Sequence, residues 1–274
     1  MLEQLKYKNH INEVFEFGKD GIFVDTNDLH DYEWKVTTKG SRIASLGYAV
    51  SKRTLPITII CETEEQGIEA RNRLFEVVEK DALAMKHGQI IIGNYYFKCF
   101  VTKSQKSNYL ITKRHLKLKL TLTTDFPYWV KETTFSFRKT DDSASGEGLD
   151  FSFDYPYDYA SEISSQNLNN TGFVGTNFRM IIYGACVNPS VYIAGHQYNV
   201  NCTVGAGEYL TIDSVNKTIT LTGVDGTVTN MFNLRNRDSY IFEKIQPGSN
   251  TVTWEGDYGV DLILLEERSE PKWT

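Results

Sequence analysis

Histidine is the side chain most often used to bind metals or to move protons near neutral pH. The chain has five histidines, spread along its length with no two at the spacing of zinc ligands. They are His10, His30, His87, His115 and His196. Histidines so isolated are predicted to be surface or hydrogen-bonded residues rather than members of a metal or catalytic site.

Cysteine is the other side chain that commonly binds zinc or acts as a nucleophile. The four cysteines are far apart and form no CxxC pair, so neither a zinc nor a redox site is indicated. Cys61, Cys99 and Cys186 lie among apolar or aromatic neighbours, and free cysteine is among the most buried residue types. These three are predicted to be buried structural thiols.

Carboxylate pairs and short acidic loops could supply acid–base chemistry or bind calcium. The pairs Asp141-Asp142 and Glu266-Glu267 lie in polar or charged segments, which favours solvated surfaces over a paired acid and base. The segments DSVNKT and DGTVTN lack the spaced acidic residues of a calcium loop and are predicted to be β-turns. No GxSxG, Walker-type, HExxH or GxGxxG motif occurs. The sequence therefore predicts a protein that is not an enzyme and that holds no cofactor or metal.

Aromatic side chains in the second half offer a different chemistry, because they can stack on sugar rings. The candidates are Trp254, Tyr258, Trp273 and His196. The alternative is that they are core and ordinary surface residues of a β-sandwich. Their spacing does not decide between carbohydrate binding and this structural role.

The overall charge argues against a general nucleic-acid binder. The formal net charge is -6 and the pI is about 5.5, whereas phosphate binding relies on clustered Lys and Arg. No apolar stretch approaches the ~20 residues needed to cross a bilayer, and the N-terminal residues lack the pattern of a secretory signal. We therefore expect a soluble protein, made in the cytosol and not inserted into a membrane.

The first half of the chain has the periodicities of an α+β domain. Short strands are predicted in GIFVD, YEWKVTTKG and PITIICE. Residues 64–87 then carry apolar residues at three- and four-residue steps, which predicts one long helix packed on a sheet. Thr63 suits the start of this helix, and residues 86–88 suit its end.

After the helix, the pattern changes to that of paired strands. Gly93-Asn94 between two β-rich runs predicts a hairpin over residues 89–103. A polar loop, SQKSN, follows, and then a long strand is predicted over residues 109–124. That strand ends at DFPYWV, whose aromatic residues Tyr128 and Trp129 are predicted to be exposed.

The predicted long strand has one apolar and one basic face, because strand side chains alternate. Its apolar face, which is expected to pack on the helix, consists of Leu116, Leu118, Leu120 and Leu122. Its basic face consists of Lys113, His115, Lys117 and Lys119. The basic face is either an ordinary solvated surface or a contact with another molecule.

The predicted hairpin contains three consecutive aromatic residues, Tyr95, Tyr96 and Phe97. Such a run places aromatic side chains on both faces of a strand, and an exposed apolar patch usually marks a contact. We therefore take these residues as a candidate contact between subunits. The alternative is a central strand that is buried on both sides.

The second half of the chain is predicted to be all-β. The segment RKTDDSASGEGLD is polar and small, which is typical of a linker or an exposed loop. Short strands with turns between them follow, including YIAGHQYNVNCTV, GEYLTID, KTITLTGVDGTVTNMF, SYIFEKI, NTVTWEG and VDLILLEER, a spacing typical of an antiparallel sandwich. We place the domains at 1–135 and 151–274, joined by a linker at 136–150, and the last residues are free to pack back on the first domain.

Several segments in order along the chain resemble the distal tail protein (Dit) family of siphophages and prophages of Gram-positive bacteria. They are YKNHINEVFEFG, GIFVDTNDLHDYEW, DFPYWV, NPSVYIAGHQYNV, GEYLTIDSVNKTITL, NMFNLRN, IFEKIQPGSNTVTWEG and LILLEERSEPKW. The resemblance implies a mainly β protein with an N-terminal belt domain related to tail-tube proteins and a C-terminal galectin-like sandwich. It also implies a structural virion protein at the tail tip, with no catalytic role.

In that family the belt domains form a hexameric ring, sometimes two stacked rings, at the junction of tail tube and baseplate. The implied partners are the tail tube protein, a tail-associated lysin or fibre protein, and receptor-binding or other baseplate proteins. Under this resemblance the basic strand face would line the ring's lumen or meet a neighbour, touching the passing DNA only non-specifically. The HQYN and WEGD segments do not match the galectin sugar-binding cluster, so carbohydrate binding by the sandwich is the alternative function.

Overall fold

The computed structural model describes residues 5–19, 21–107, 113–138, 164–255 and 257–272. As predicted, this part of the chain is mainly β, with one α-helix. It divides into two compact units, Met1–Lys131 with Glu267–Thr274, and Glu132–Glu266. The division between the units falls inside a strand, Trp129–Phe137, which extends two residues into the predicted linker. The linker residues 139–150 lie outside the described residues.

The described part of the first unit contains nine complete strands, one helix and the start of a tenth strand. They are β1 (Leu5–Lys8), β2 (Val14–Glu16), β3 (Ile22–Val24), β4 (Lys35–Lys39), β5 (Arg42–Gly47), β6 (Ser51–Ile60), α1 (Glu64–Ala84), β7 (Gly88–Ile92), β8 (Tyr95–Ser107), β9 (His115–Thr124) and β10 (Trp129–Phe137). Strand β8 is shared by two antiparallel sheets, one in the order β2-β1-β7-β8 and the other in the order β3-β6-β9-β8. Residues 95–99 of β8 pair with β7 and residues 100–107 pair with β9, with a register shift between Val101 and Lys103 in the second part.

Local hydrogen bonds fix the two ends of the helix. Thr63 forms the predicted N-cap as part of a capping box with Gln66. The predicted C-terminal boundary at residue 87 is wrong by three residues: the helix ends at Ala84, because Met85 adopts a left-handed conformation with φ 51°. Gly88 then opens β7, where a Cβ atom would overlap with neighbouring side chains.

The four leucines of β9 are buried as predicted, and they share one core with Leu74 and Val78 of the helix. The predicted boundaries around this strand need correction. Residues 104–107 of the supposed polar loop belong to β8, and β9 begins at His115. Residues 108–112 lie outside the described part of the chain.

The described part of the second unit contains two larger antiparallel sheets around one core and a short two-stranded sheet of β13 and β16. Its elements are β11 (Ser164–Asn170), β12 (Asn177–Tyr183), β13 (Cys186–Val187), β14 (Ser190–Ile193), β15 (His196–Asn199), β16 (Thr203–Val204), β17 (Tyr209–Asp213), β18 (Thr218–Thr222), β19 (Val228–Asn230), a 3-10 turn (Phe232–Leu234), β20 (Gly248–Trp254) and β21 (Val260–Arg268). One sheet has the order β19-β18-β17-β12-β21 and the other β11-β20-β14-β15. Ile212 from the first sheet and Val252 from the second belong to the same core.

The sequence patterns missed three strands of this unit and predicted one that is absent. Neither β11, the central strand β12 nor the short strand β13 was predicted. The segment SYIFEKI is a turn region rather than a strand, and only Ile245 forms a bridge, to Thr176. Its side chains Ile241 and Phe242 are nevertheless buried. An apolar run can therefore belong to a core without pairing into a sheet.

Candidate subunit-contact surfaces

The basic face of β9 is exposed as its alternation predicts. His115, Lys117 and Lys119 are all exposed, between buried leucines. Lys117 lies opposite Thr58 on β6, and Lys119 lies opposite Pro56. Within the described residues neither lysine forms an ion pair, so the face carries uncompensated positive charge.

Lys113 does not belong to this face. It precedes the first residue of β9, and its ammonium group lies 3.7 Å from the carboxylate of Glu64 at the start of the helix. Its carbonyl oxygen accepts a hydrogen bond from Arg71 at 2.9 Å. The predicted set of four basic residues is therefore reduced to three on the strand, because Lys113 connects the strand to the helix.

The aromatic hairpin is mostly part of the core, which removes two of its three predicted contact residues. Tyr95 and Phe97 are buried, and only Tyr96 is half-exposed. The ring of Phe97 lies 5.3 Å from that of Trp129 and 4.7 Å from the guanidinium carbon of Arg53. Strand β8 has neighbours on both edges, so its inward-pointing aromatics are enclosed and leave no aromatic patch at the surface.

The predicted exposure of the DFPYWV aromatics is also only partly correct. Trp129 is completely buried, and its indole nitrogen donates to the carbonyl oxygen of Leu29 at 3.3 Å. Tyr128 is half-buried, and burial raises the pKa of its hydroxyl. Of the two residues, only Tyr128 reaches the surface.

The aromatic residues proposed for sugar binding do not form a surface in the second unit. Trp254 and Tyr258 are buried, and the indole nitrogen of Trp254 donates to the carbonyl oxygen of Tyr258 at 3.1 Å. His196 is half-exposed and lies 3.0 Å from the carbonyl oxygen of Tyr240. Trp273 lies outside the described residues. Two of the four candidates are thus core residues, since their polar atoms are used inside the unit.

The other candidate chemical groups are structural. Asp213 and Asp225 each accept a hydrogen bond from the backbone N–H two residues ahead, at 2.9 Å, which makes them turn residues. Glu266 is buried rather than solvated, contrary to prediction. The described residues contain no cluster of three or more His, Cys, Asp or Glu side chains able to hold a metal, and no described helix is long and apolar enough to cross a membrane.

Burial of the cysteines differs from the prediction at one position. Cys99 and Cys186 are buried as predicted, and so is Cys202. Burial raises the pKa of the Cys99 thiol to about 12 and that of Cys186 to about 11. Cys61 is only half-buried, because it follows β6 at the edge of a surface groove.

The hairpin of β4 and β5 is a surface that the sequence patterns did not single out. These two strands pair only with each other within the described chain, and every residue in them is exposed except half-buried Gly47. We call residues 35–47 the arm. YEWKVTTKG and the turn at Gly40 signalled the strand, but nothing in the local pattern signalled its isolation.

The two faces of the arm have opposite character. Cross-strand pairing of Val36 with Leu46 and of Thr38 with Ile43 places these residues on one face. Val36 is 50%, Ile43 66% and Leu46 55% exposed. The basic residues occupy the alternate positions Lys35, Lys39 and Arg42. The arm is therefore an amphipathic two-stranded ribbon with both faces in solvent.

Aromatic rings hold the base of the arm. The rings of Trp34 and Tyr48, which flank the two strands, lie 4.3 Å apart. Tyr48 contacts Tyr128 at 4.6 Å, and its hydroxyl shares a hydrogen bond with that of Ser269. This stack fixes where the arm leaves the unit.

The fold of the whole chain is similar to that of solved phage proteins. The SPP1 Dit protein, described as a paradigm of the hub adsorption apparatus in phages that infect Gram-positive bacteria, matches with a TM-score of 0.59 at 10% identity, over 98% of this chain and 100% of its own. The chain has the Dit hub fold. Chains of the phage P2 baseplate in its activated conformation, with calcium and with strontium, match with a TM-score of 0.64 at 12% identity.

The likeness to the Dit fold covers both units, since the SPP1 Dit protein matches over 98% of this chain. The P2 baseplate chains match over 99% of this chain and 100% of their own length. No family model matches the chain, and no curated protein does. At 10–12% identity the likeness is one of fold rather than of side chains. The predicted resemblance to distal tail proteins is confirmed at this level.

Proposed function

We propose that the chain is a structural protein of a phage tail tip, which forms a hexameric hub between the tail tube and the baseplate. The observation that carries this proposal is the match over nearly the whole chain to the Dit fold. A partial match could reflect one common domain, whereas a full-length match preserves the combination of both units. The protein would accordingly be a component of the virion rather than an enzyme.

In this proposal the two units have different partners. The first unit forms the ring, in one layer or in two stacked layers, and meets the tail tube protein on one side. A tail-associated lysin or fibre protein binds the other side of the hub. The second unit serves as a platform for receptor-binding or other baseplate proteins. Direct carbohydrate binding is less well supported, because Trp254 and Tyr258 are buried.

The solution mass tests the ring directly. Light scattering combined with negative-stain images of the same material should show annular particles of six times the 31.3 kDa of the chain, or of twice that mass for stacked rings. Class averages of the particle images should show six-fold symmetry. A one-chain species that persists at high concentration and binds host cell-wall saccharide would contradict the hub and favour the carbohydrate-binding module.

The basic face of β9 has a specific role in this proposal. A ring multiplies the exposed charges of Lys117 and Lys119 six-fold around its lumen, where DNA would pass without sequence recognition. The double variant Lys117→Glu/Lys119→Glu should therefore slow DNA ejection or block assembly of the tail. The matched control, Arg237→Glu/Lys244→Glu, makes the same charge change at exposed residues of the second unit. If the two variants eject DNA at the same rate, the basic face of β9 has no specific role in the lumen.

A further inference from the structure

The arm of the first unit is a hairpin without a partner strand in the described part of its own chain. An isolated two-stranded hairpin is at best marginally stable in water, and this one also exposes three aliphatic side chains on one face. The aromatic stack at Trp34 and Tyr48 holds only its base. Burial of the apolar face against another surface would stabilise the hairpin and remove its aliphatic side chains from water.

A groove beside the start of the helix has the complementary character. Ile60, Cys61 and Ala70 supply its apolar lining, and Ile60 is 54% exposed. Glu62 and Glu69 supply carboxylates at the same groove. The depression is open to solvent and presents an apolar surface with acidic side chains around it.

The acidic character continues along the outer face of α1. A second depression, which shares Glu69 with the first, is lined by Glu65, Ile68 and Glu76. In the described chain no ion pair involves Glu65, Glu69 or Glu76. The two depressions together carry four glutamates and one cation, Arg73, which lines both of them, so the surface around their exposed apolar side chains is net acidic.

The charges of the arm are the opposite of those at the groove. Residues 34–50 contain Lys35, Lys39 and Arg42 and no acidic residue. Ile43 lies at the tip, directly after Arg42 and one cross-strand pair from Lys39. A tip that combines one aliphatic side chain with two neighbouring cations suits an apolar groove with a net acidic rim, because opposite charges steer and orient association.

We propose that the tip of the arm of one subunit inserts into the groove beside α1 of the next subunit. The occupant is a second copy of this chain, because the chain itself carries both the basic, apolar tip and its acidic, apolar complement. Such a contact joins two different surfaces and is head-to-tail, so its repetition builds a ring when the rotation between successive copies closes. This inference rests on the proposed hub function and names the contact that builds the hub.

Cys61 makes the contact directly testable. It lines the groove, is half-buried and forms no disulfide, whereas Cys99, Cys186 and Cys202 are buried. In Ile43→Cys, mild oxidation of the assembled protein should link the new thiol to Cys61 of the next copy. A non-reducing gel should then show a ladder of covalent oligomers that reaches the full ring.

Two variants control this experiment. Ile43→Cys combined with Cys61→Ser keeps the arm thiol but removes its target, so the ladder should disappear. Val50→Cys places a thiol at a residue that is 65% exposed but lies beyond the base of the arm, and it should give no ladder. Cross-linked dimers without higher species would indicate a two-fold contact and would overturn the head-to-tail arrangement.

Charge reversal supplies a second, independent test. Lys39→Glu/Arg42→Glu on the arm and Glu65→Lys/Glu69→Lys at the groove should each raise the concentration needed for assembly at least tenfold. The four substitutions together should recover most of the assembly, since the charges are again complementary. All positions are exposed, so circular dichroism and thermal melting should show that each variant is folded.

The outcomes separate this contact from the hub itself. Rings that form normally in the reversal variants, with no Cys61 cross-link, would overturn the arm contact and leave the hub function standing. A wild-type protein that forms no ring alone or on a tail tube would overturn both. Cross-linking of Ile43→Cys to a tail-tube subunit instead of to a second copy would overturn the choice of occupant.

Discussion

The first unit contains two β-hairpins whose sequences suggest the opposite of what their structures show. The hairpin of β7 and β8 carries three consecutive aromatics, yet Tyr95 and Phe97 are buried. The arm, formed by β4 and β5, carries only scattered aliphatic residues, yet these remain exposed. The difference lies in the neighbours. Both strands of the aromatic hairpin pair further within a sheet, whereas the strands of the arm pair only with each other.

The comparison teaches that the apolar content of a hairpin does not reveal whether it is a contact surface. An aromatic strand with neighbours on both edges contributes to the core of its own unit. A hairpin of scattered aliphatic residues with no further neighbour leaves these side chains exposed. Four measurements would sharpen or break this contrast.

The largest effect is expected in the core of the aromatic hairpin. Phe97→Ala removes a fully buried ring that packs on Trp129 and should lower the free energy of unfolding by roughly 3–5 kcal/mol. Tyr96→Ala, at the half-exposed neighbouring position, should have a markedly smaller effect. Urea denaturation of both variants makes the comparison. Equal losses would mean that the two side chains are equally enclosed.

A second effect is expected where the helix meets the start of the same hairpin. The fully buried carboxylate of Asp81 accepts hydrogen bonds from the hydroxyl of Tyr7 at 2.5 Å and from the backbone N–H of His10 at 2.8 Å. Asp81→Asn should lower the free energy of unfolding by about 1–3 kcal/mol, because hydrogen bonds to a charged group are replaced by weaker ones.

The partner variant Tyr7→Phe tests whether the two residues act together. A double-mutant cycle with Asp81→Asn should give a coupling energy clearly different from zero, since the residues share one hydrogen bond. Strictly additive losses of stability would show that the bond contributes nothing. The same denaturation measurement serves all three variants.

The arm should behave in the opposite way from the aromatic hairpin. Ile43→Ser changes a residue that is 66% exposed, so the free energy of unfolding of the monomer should change by less than about 0.5 kcal/mol. The concentration needed for assembly should nevertheless rise, since the variant removes the apolar tip. A large loss of monomer stability would show that the arm packs on its own unit and would erase the contrast between the hairpins.

The smallest effect concerns the reactivity of the thiols. Cys99 lies on the aromatic hairpin, opposite Gly88, and burial raises its pKa to about 12. At pH 8 a thiol reagent should therefore modify Cys61 and spare Cys99 until denaturant is added. Because only the unfolded thiol ionises near its ordinary pKa, the free energy of unfolding should also fall as the pH rises above that value.

Mass spectrometry of the modified protein locates the reacted thiols. Rapid labelling of Cys99 in the native protein would mean that the aromatic hairpin opens readily. Slow labelling of Cys99 would show that the aromatic hairpin stays closed in the native protein. Cross-linking of Cys61 to the arm of a second copy would show that the arm contacts another subunit.

Features governed by neighbouring residues could be predicted from the sequence. Thr63 and Gln66 form a capping box within one turn of helix, so the start of α1 was predictable. Gly93 takes a positive φ of 54° in a two-residue turn, as its position between two β-rich runs indicates. The alternation of leucine and lysine in β9 predicted which face is buried.

Features governed by distant residues could not be predicted in the same way. Whether Phe97 is enclosed depends on Trp129 and Arg53, which lie far along the chain. The segment SYIFEKI has the composition of a strand but contributes Ile241 and Phe242 to a core without pairing. Its path depends on the backbone partners available to it rather than on its own pattern.

The sequence by itself determined a mainly β chain with one capped helix, a basic strand face and a resemblance in ordered segments to distal tail proteins. Only the tertiary structure decided which apolar residues remain exposed, and so moved the candidate contact from the aromatic hairpin to the arm. The physical reason is that alternation and capping are short-range properties of the backbone. Burial is instead a property of the neighbours that folding brings to each side of a strand.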